Sequence, residues 1–362
     1  MIDYAVSPGA YLAEWIEDEG NGITQQQLAD RLGVSRKLVN GILNHREPVT
    51  ASTAILLERV TEIPSEAWLK YEAKYREDLA RLKDGQDLGS HINEIPPHVG
   101  TYMRKCGITT ATARNPEKLI GDYLYFLGFG TFEAYESCAE SMLCNLAALK
   151  EGQKKKLDRA SLMLWIMQGE RTDVFLNRRI PEYKEKNLKK ILPKLRARAA
   201  NSDDQMIPDL SHMLLSVGVV YQFVEAPSKF PLYGVTRWVN KTIPLIQQTG
   251  RLKKDGAIIW TLFHEIGHLL NDQSKEMVLE IDNGQNRKER EKVANAFAKE
   301  TLFSKKGLSS FHGLNWPEEI ERKAKEIGVC PGLAVYEMHK HHMLSYQYGN
   351  QLMRNLSIPF VS

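Results

Sequence analysis

Apolar residues recur at helical spacing along most of the chain, and the stretches that read as strands are confined to a short region past its midpoint. Near the N-terminus, Thr24-Gln25-Gln26-Gln27 offers a hydroxyl cap with a glutamine three residues later, and the helix it opens carries Leu28 and Leu32 on one face. Gly33-Val34-Ser35 interrupts the pattern: Gly33 suits the left-handed end of the first helix, and Ser35 suits the cap of a second. That second helix, Arg36 to about Asn44, is expected to bury Leu38, Ile42 and Leu43 and to leave Arg36, Lys37, Asn40 and Asn44 outside. The polar, glycine-containing run from Lys83 to Ser90 reads as a linker.

Helical periodicity resumes over residues 91 to 200, as in Leu188, Ile191, Leu192 and Leu195, with Trp165 and Phe175 as expected core anchors. Val217 to Val224 and Val235 to Gln248 read as strands, the second interrupted by Pro244, which a sheet tolerates only at an edge or a bulge. A helix from about Ala257 to Leu270 follows, and then another that ends near Phe303. The pattern predicts a mainly α protein with a small β-sheet, in three regions: 1–84, 85–200 and 201–362.

Composition narrows the class. With 43% hydrophobic and 26% charged residues the 362-residue chain is expected to fold rather than remain disordered. It has no basic stretch followed by an apolar one at its start and no apolar run of membrane-spanning length, so a cytoplasmic protein without a membrane partner is expected. Cys106, Cys138, Cys144 and Cys330 form no close pair, which argues for reduced thiols rather than a zinc knuckle or a disulfide framework. The net charge of +3 does not imply nucleic-acid binding, and residues 1 to 84 carry more acidic than basic side chains. Any DNA contact there must rest on the geometry of the second helix, whose outer residues are of the kinds that reach phosphates and base edges in a major groove.

The densest chemistry lies in His264-Glu265-Ile266-Gly267-His268. At about 100° per residue, Glu265 falls about 100° and His268 about 40° from His264, while Ile258, Ile259, Leu262, Phe263, Ile266, Leu269 and Leu270 occupy the complementary arc. The polar side is therefore expected to face away from the core contacts. Two imidazoles one turn apart can ligate one zinc ion, and the adjacent carboxylate can take a proton from a water that zinc has acidified. Amide hydrolysis is the implied reaction. A catalytic zinc needs a third protein ligand, and the acidic candidates downstream are Glu276, Glu280, Asp282, Glu289, Glu291 and Glu300. Glu291 is favoured on physical grounds, because it opens a helix expected to be largely buried, where a cation would offset the cost of a carboxylate. For the oxyanion, Tyr233, His312, His339, His341 and His342 qualify by residue type, and spacing does not choose among them.

Two resemblances sharpen these readings. Pro8-Gly9, Leu12, Gln25 to Ala29, Arg31, Gly33-Val34-Ser35, Asn40, Ile42, Pro48-Val49-Thr50, Ala54, Leu57 and Trp68-Leu69 resemble the HigA-like antitoxins of the XRE helix-turn-helix family. That resemblance implies an all-α domain that binds a double-stranded DNA operator as a homodimer, with Gln25, Ser35, Arg36, Lys37, Asn40 and Asn44 as candidate contacts. Gly234-Val235, Arg237-Trp238, Ile246, Trp260 to Leu270, Glu291, Ala294-Asn295, Phe297-Ala298, Leu302 and Ile327 to Val335 resemble the ImmA/IrrE metallopeptidases. This implies an α+β zincin-like domain with His264, His268 and Glu291 as zinc ligands, Glu265 as the catalytic base and Asn295 as an orienting neighbour. The chain departs from the family's usual Leu-Leu-Met-Pro ending at Thr301-Leu302-Phe303-Ser304.

Together the resemblances imply a DNA-binding regulatory zinc endopeptidase acting on a repressor or on an antitoxin or toxin partner. The alternative is an antitoxin-like autoregulator in which the zinc domain is a sensor or scaffold with little proteolysis.

Overall fold

The structure is a computed structural model and describes residues 4–145, 158–177, 179–271 and 284–361. It is mainly α, with helices α1 (Pro8–Asp18), α2 (Gln25–Leu32), α3 (Arg36–Leu43), α4 (Ala51–Thr61), α5 (Ser65–Ser90), α6 (Pro97–Lys105), α7 (Pro116–Leu127) and α8 (Phe132–Asn145) in the first part of the chain. These are followed by α9 (Arg159–Glu170), α10 (Asp173–Asn177), α11 (Glu185–Ala200) and α12 (Met206–Leu215), and then by strands β1 (Val220–Phe223), β2 (Gly234–Val239) and β3 (Ile243–Gln248). Helices α13 (Asp255–Asn271), α14 (Gly284–Gly307), α15 (Pro317–Ile327) and α16 (Pro331–Lys340) complete the regular structure. No helix among the described residues is long and apolar enough to cross a membrane.

Contacts group the chain into two compact units, one of Met1–Asn93 with Thr112–Gly121, the other of Glu94–Ala111 with Asp122–Ser362. In the first unit, Leu12, Leu28, Ala29, Leu32, Val39, Ile42, Leu57 and Trp68 make the core. Ile42 is buried as expected and Val39 joins it in the core, whereas Leu38 and Leu43 are only half-buried. The run Lys83 to Ser90, expected as a linker, is the end of α5. Its glycines lie beside the 112–121 segment: a Cβ on Gly89 would come 3.8 Å from the Pro116 side chain, and one on Gly85 equally near Glu117.

In the second unit the sheet has the order β1-β3-β2, with β1 parallel and β2 antiparallel to β3. The expected strand over Val235 to Gln248 is two strands, β2 and β3, because Asn240 and Lys241 take left-handed φ of 49° and 59° and reverse the chain. This places Pro244 in the central strand. It is tolerated there because it pairs only with Trp238 of β2, while β1 joins one residue later, where Val220 meets Leu245.

Helix α13 runs through the core of this unit. Ile258, Ile259, Leu262, Phe263, Ile266 and Leu269 pack with Tyr221, Phe223 and Ile246 of the sheet, Leu302 and Phe303 of α14, and Leu333, Ala334 and Met338 of α16. Helix α9 covers the other side of the sheet through Leu162, Trp165 and Ile166, packed with Val224, Phe230 and Val235. The anchor expected at Trp165 is fully buried, whereas Phe175 is half-buried.

One buried carboxylate gives the second unit a pH-dependent stability. Glu337 on α16 is fully buried, and although Lys340 and His341 approach it at 3.3 and 3.4 Å, burial pushes its pKa up to about 7. The folded state then holds this proton more tightly than the unfolded chain, so stability falls as pH rises from the ordinary carboxylate value of 4.5 through about 7. The loss from this group amounts to at most about 3 kcal/mol. Urea unfolding at about pH 5 and about pH 8 should therefore show a smaller loss for Glu337→Gln than for the wild type, by about 1 to 3 kcal/mol. Equal losses in the two proteins would contradict it.

Candidate functional site

The site exists because α13 and α14 come close. A Cβ on Gly267 would lie 3.0 Å from both the Cα and the carbonyl oxygen of Ala294 and 3.1 Å from the Phe297 ring, so only glycine and alanine at this crossing let the backbones meet. Ala294, Ala298 and Leu302 form the buried stripe of α14, one turn apart, and Glu291 precedes them on the side of the two histidines. Val293 and Ala296 are exposed, so α14 buries one stripe rather than most of its surface, contrary to the expectation that favoured Glu291. Its regular geometry breaks at Ser304, φ 62°, immediately after the Thr301-Leu302-Phe303 run.

The structure brings His264, His268 and Glu291 to one point. The two Nε2 atoms are 3.0 Å apart, with the rings edge to face. Glu291 Oε1 is 3.2 Å from His268 Nε2, and Oε2 is 3.6 Å from His264 Nε2. All three side chains are half-buried. Burial lowers the pKa of His264, assisted by His268 and Lys340 and opposed by Glu265 and Glu291, which favours the neutral imidazole that a metal requires.

Two neutral imidazole nitrogens and a carboxylate oxygen aimed at one another repel unless a proton or a cation sits between them. A tetrahedral zinc with bonds of about 2.0 to 2.1 Å separates its donors by about 3.3 Å. The spacings lie around that value, with Glu291 facing the two nitrogens through different oxygens, and one donor atom from each residue lies within 4.8 Å of the others, so the donor set fits such an ion. His264 Nδ1 is buried with no hydrogen-bond partner among the described residues, unlike the usual ligating histidine, whose second nitrogen is held by an acceptor.

Glu265 differs from expectation in its surroundings. The polar side of α13 does not face away from the packed interior: Glu265 is 7% exposed, and Thr236 of β2 donates its hydroxyl to the Oε2 of the carboxylate at 2.8 Å. The same hydroxyl lies 3.2 Å from the Glu265 carbonyl. Gly234, two residues earlier on the same face of β2, permits this approach, since a Cβ there would come 3.0 Å from the Thr261 methyl. Sequence reasoning missed Thr236, because no local spacing links a strand threonine to a helix carboxylate.

Among the other acidic candidates, Glu289 pairs with Lys292 at 3.1 Å on the surface, and Glu300 is exposed. Glu276, Glu280 and Asp282 lie outside the described residues. Asn295 is half-buried one turn beyond Glu291. Of the residues considered for the oxyanion, Tyr233 shares a small cavity with Thr261 of α13. His339 donates to the Tyr348 carbonyl at 2.8 Å, His341 faces Glu337, and His312 and His342 are exposed.

In the first unit α2 and α3 have the expected caps. Thr24 and Gln27 bond reciprocally, Gly33 adopts φ 67°, and the Leu38 N–H donates to Ser35 Oγ at 3.2 Å. Ser35, Arg36, Lys37, Asn40 and Asn44 are exposed, and Gln25 is half-buried. Asn40 donates to Gln25 Oε1 at 3.1 Å, so these two link the helices, and Asn44 donates to the Asn40 carbonyl at 2.8 Å. Arg36 and Lys37 are left as long cationic side chains at the start of α3.

Comparison with known proteins agrees with both resemblances. Residues 251–339 match a peptidase family model described as the IrrE N-terminal-like domain, and residues 18–68 match a model described as helix-turn-helix. No curated protein and no solved structure matches the chain. One region of the chain is thus similar to helix-turn-helix domains and another to a peptidase family.

The α13–α14 crossing provides a test of the donor geometry. Gly267→Val should force the helices apart, costing about 1 to 3 kcal/mol of stability, and should weaken zinc binding at least about tenfold in a competitive chelator titration. Unchanged zinc affinity would mean that the donors do not depend on this contact.

Proposed function

We propose that the chain is a DNA-binding regulatory zinc endopeptidase that hydrolyses a peptide bond in a repressor or another regulatory protein. The observation that carries this reading is the convergence of His264, His268 and Glu291 beside the buried carboxylate of Glu265. These three residues would hold the zinc, which when bound polarises a carbonyl and acidifies water. Glu265, held by Thr236, takes the proton of the attacking water and afterwards delivers it to the leaving amine.

Among the described residues β2 is an edge strand beside this carboxylate, and a substrate in extended conformation can pair with its outer side. That favours an unfolded or loop segment of a protein as the substrate. Region 1–84 supplies the operator contact, as a homodimer, through Gln25, Ser35, Arg36, Lys37, Asn40 and Asn44. Region 201–362 supplies the hydrolysis, and region 85–200 contributes the helix behind the sheet.

The reading is tested by comparing the protein termini in cells that carry the wild type and Glu265→Gln. New N-termini confined to wild-type cells are expected, with purified Glu265→Gln retaining its zinc while losing about a thousandfold or more in cleavage rate. Identical termini in both strains would instead favour an autoregulator with little proteolysis. On the DNA side, Arg36→Ala and Lys37→Ala should each weaken operator binding and lower the slope of log affinity against log salt by about one. An unchanged slope would remove α3 from the DNA interface.

A further inference from the structure

Strand β2 is held differently on its two faces. Thr236 pairs with Ile246 and points toward α13, where it meets Glu265. The next residue, Arg237, points the other way and is 7% exposed. Its guanidinium donates to the Glu170 carboxylate, to the Ile166 carbonyl at 2.7 Å, and to Gln247 Oε1. Gln247 in turn donates to the Trp165 carbonyl at 2.6 Å. Ile166, Trp165 and Glu170 all belong to α9, so that helix contributes acceptors as well as apolar cover to the sheet.

This arrangement fixes the register of β2. A slip of one residue would exchange the faces of the strand, carrying Arg237 toward the apolar side of α13 and Thr236 away from Glu265. Removing a buried guanidinium from its carboxylate is strongly unfavourable, so the slipped state is suppressed. The register determines which β2 side chain meets the carboxylate. Thr236 engages Oε2 of that carboxylate.

We propose that Thr236 is a positioning residue for Glu265, and that α9 sets its place by clamping the buried Arg237 through Glu170. The inference rests on the peptidase reading above. Thr236 acts through Glu265 and not on the substrate. It restricts the rotation of the Glu265 side chain, so that the carboxylate waits in one orientation at the donor set instead of several.

The test uses the full-length zinc-loaded chain and a random-sequence peptide library read by mass spectrometry. On the best-cleaved peptide, Thr236→Val should lower kcat by about 10- to 100-fold with KM and zinc content unchanged, and Thr236→Ser should stay within about threefold of the wild type. A second measurement does not need turnover: the shifts in urea midpoint caused by Thr236→Val and Glu265→Leu should be non-additive in the double variant. Wild-type kcat in Thr236→Val, equal losses in the Val and Ser variants, or additive midpoints would each overturn the positioning role. If the wild type cleaves no library peptide, the peptidase reading falls and the role falls with it, even with non-additive midpoints. Additive midpoints beside an active wild type would remove Thr236 alone.

Discussion

The steric closeness of α13 and α14 at Gly267 and Ala294 is the constraint on which the site depends. Two histidines one turn apart on a helix are an incomplete ligand set for a catalytic metal, because the third donor must come from another element. The missing Cβ of Gly267 lets α14 lie against α13, and Glu291 then comes within 3.2 Å of His268. A larger side chain there would press on the Ala294 backbone and shift the helix that carries Glu291.

The sheet supplies the second constraint. The α13 side of β2 presents Thr236 to the Glu265 carboxylate, while its other side buries Arg237 against α9. A charged group is costly to bury, and it makes an exacting register mark because only one alignment satisfies it. Apolar pairs such as Val235 with Trp165 tolerate small shifts and would specify the strand less sharply. Helix α9 therefore does more than fill space behind the sheet, and a region without a recognisable motif acquires a role in the geometry of the site.

Legibility in the sequence followed the range of the interactions. Within one helix, the 264–268 run and its apolar arc could be read from periodicity, as could the caps at Thr24, Gly33 and Ser35, because each depends on residues a few positions apart. Features set by distant partners were missed. Thr236 lies 29 residues from Glu265 along the chain, and no pattern marks it. The polar end of α5 reads as a linker because its glycines suggest flexibility, whereas both lie inside the helix, in ordinary contact with the 112–121 segment. The hairpin between β2 and β3 was hidden because Asn240 and Lys241 adopt left-handed conformations without a glycine to announce them. Glu265 was placed facing away from the core by helix geometry alone, which takes no account of the strand that covers it.

His264 and His268 of α13 and Glu291 of α14 would together hold one zinc ion. Zinc-edge X-ray absorption on the purified full chain addresses this most directly. The account predicts one zinc per chain in a shell of about four nitrogen and oxygen donors at about 2.0 to 2.1 Å, with the imidazole signature of two histidines and no sulfur. A shell containing sulfur, a single imidazole, or an absence of bound zinc after reconstitution would contradict it.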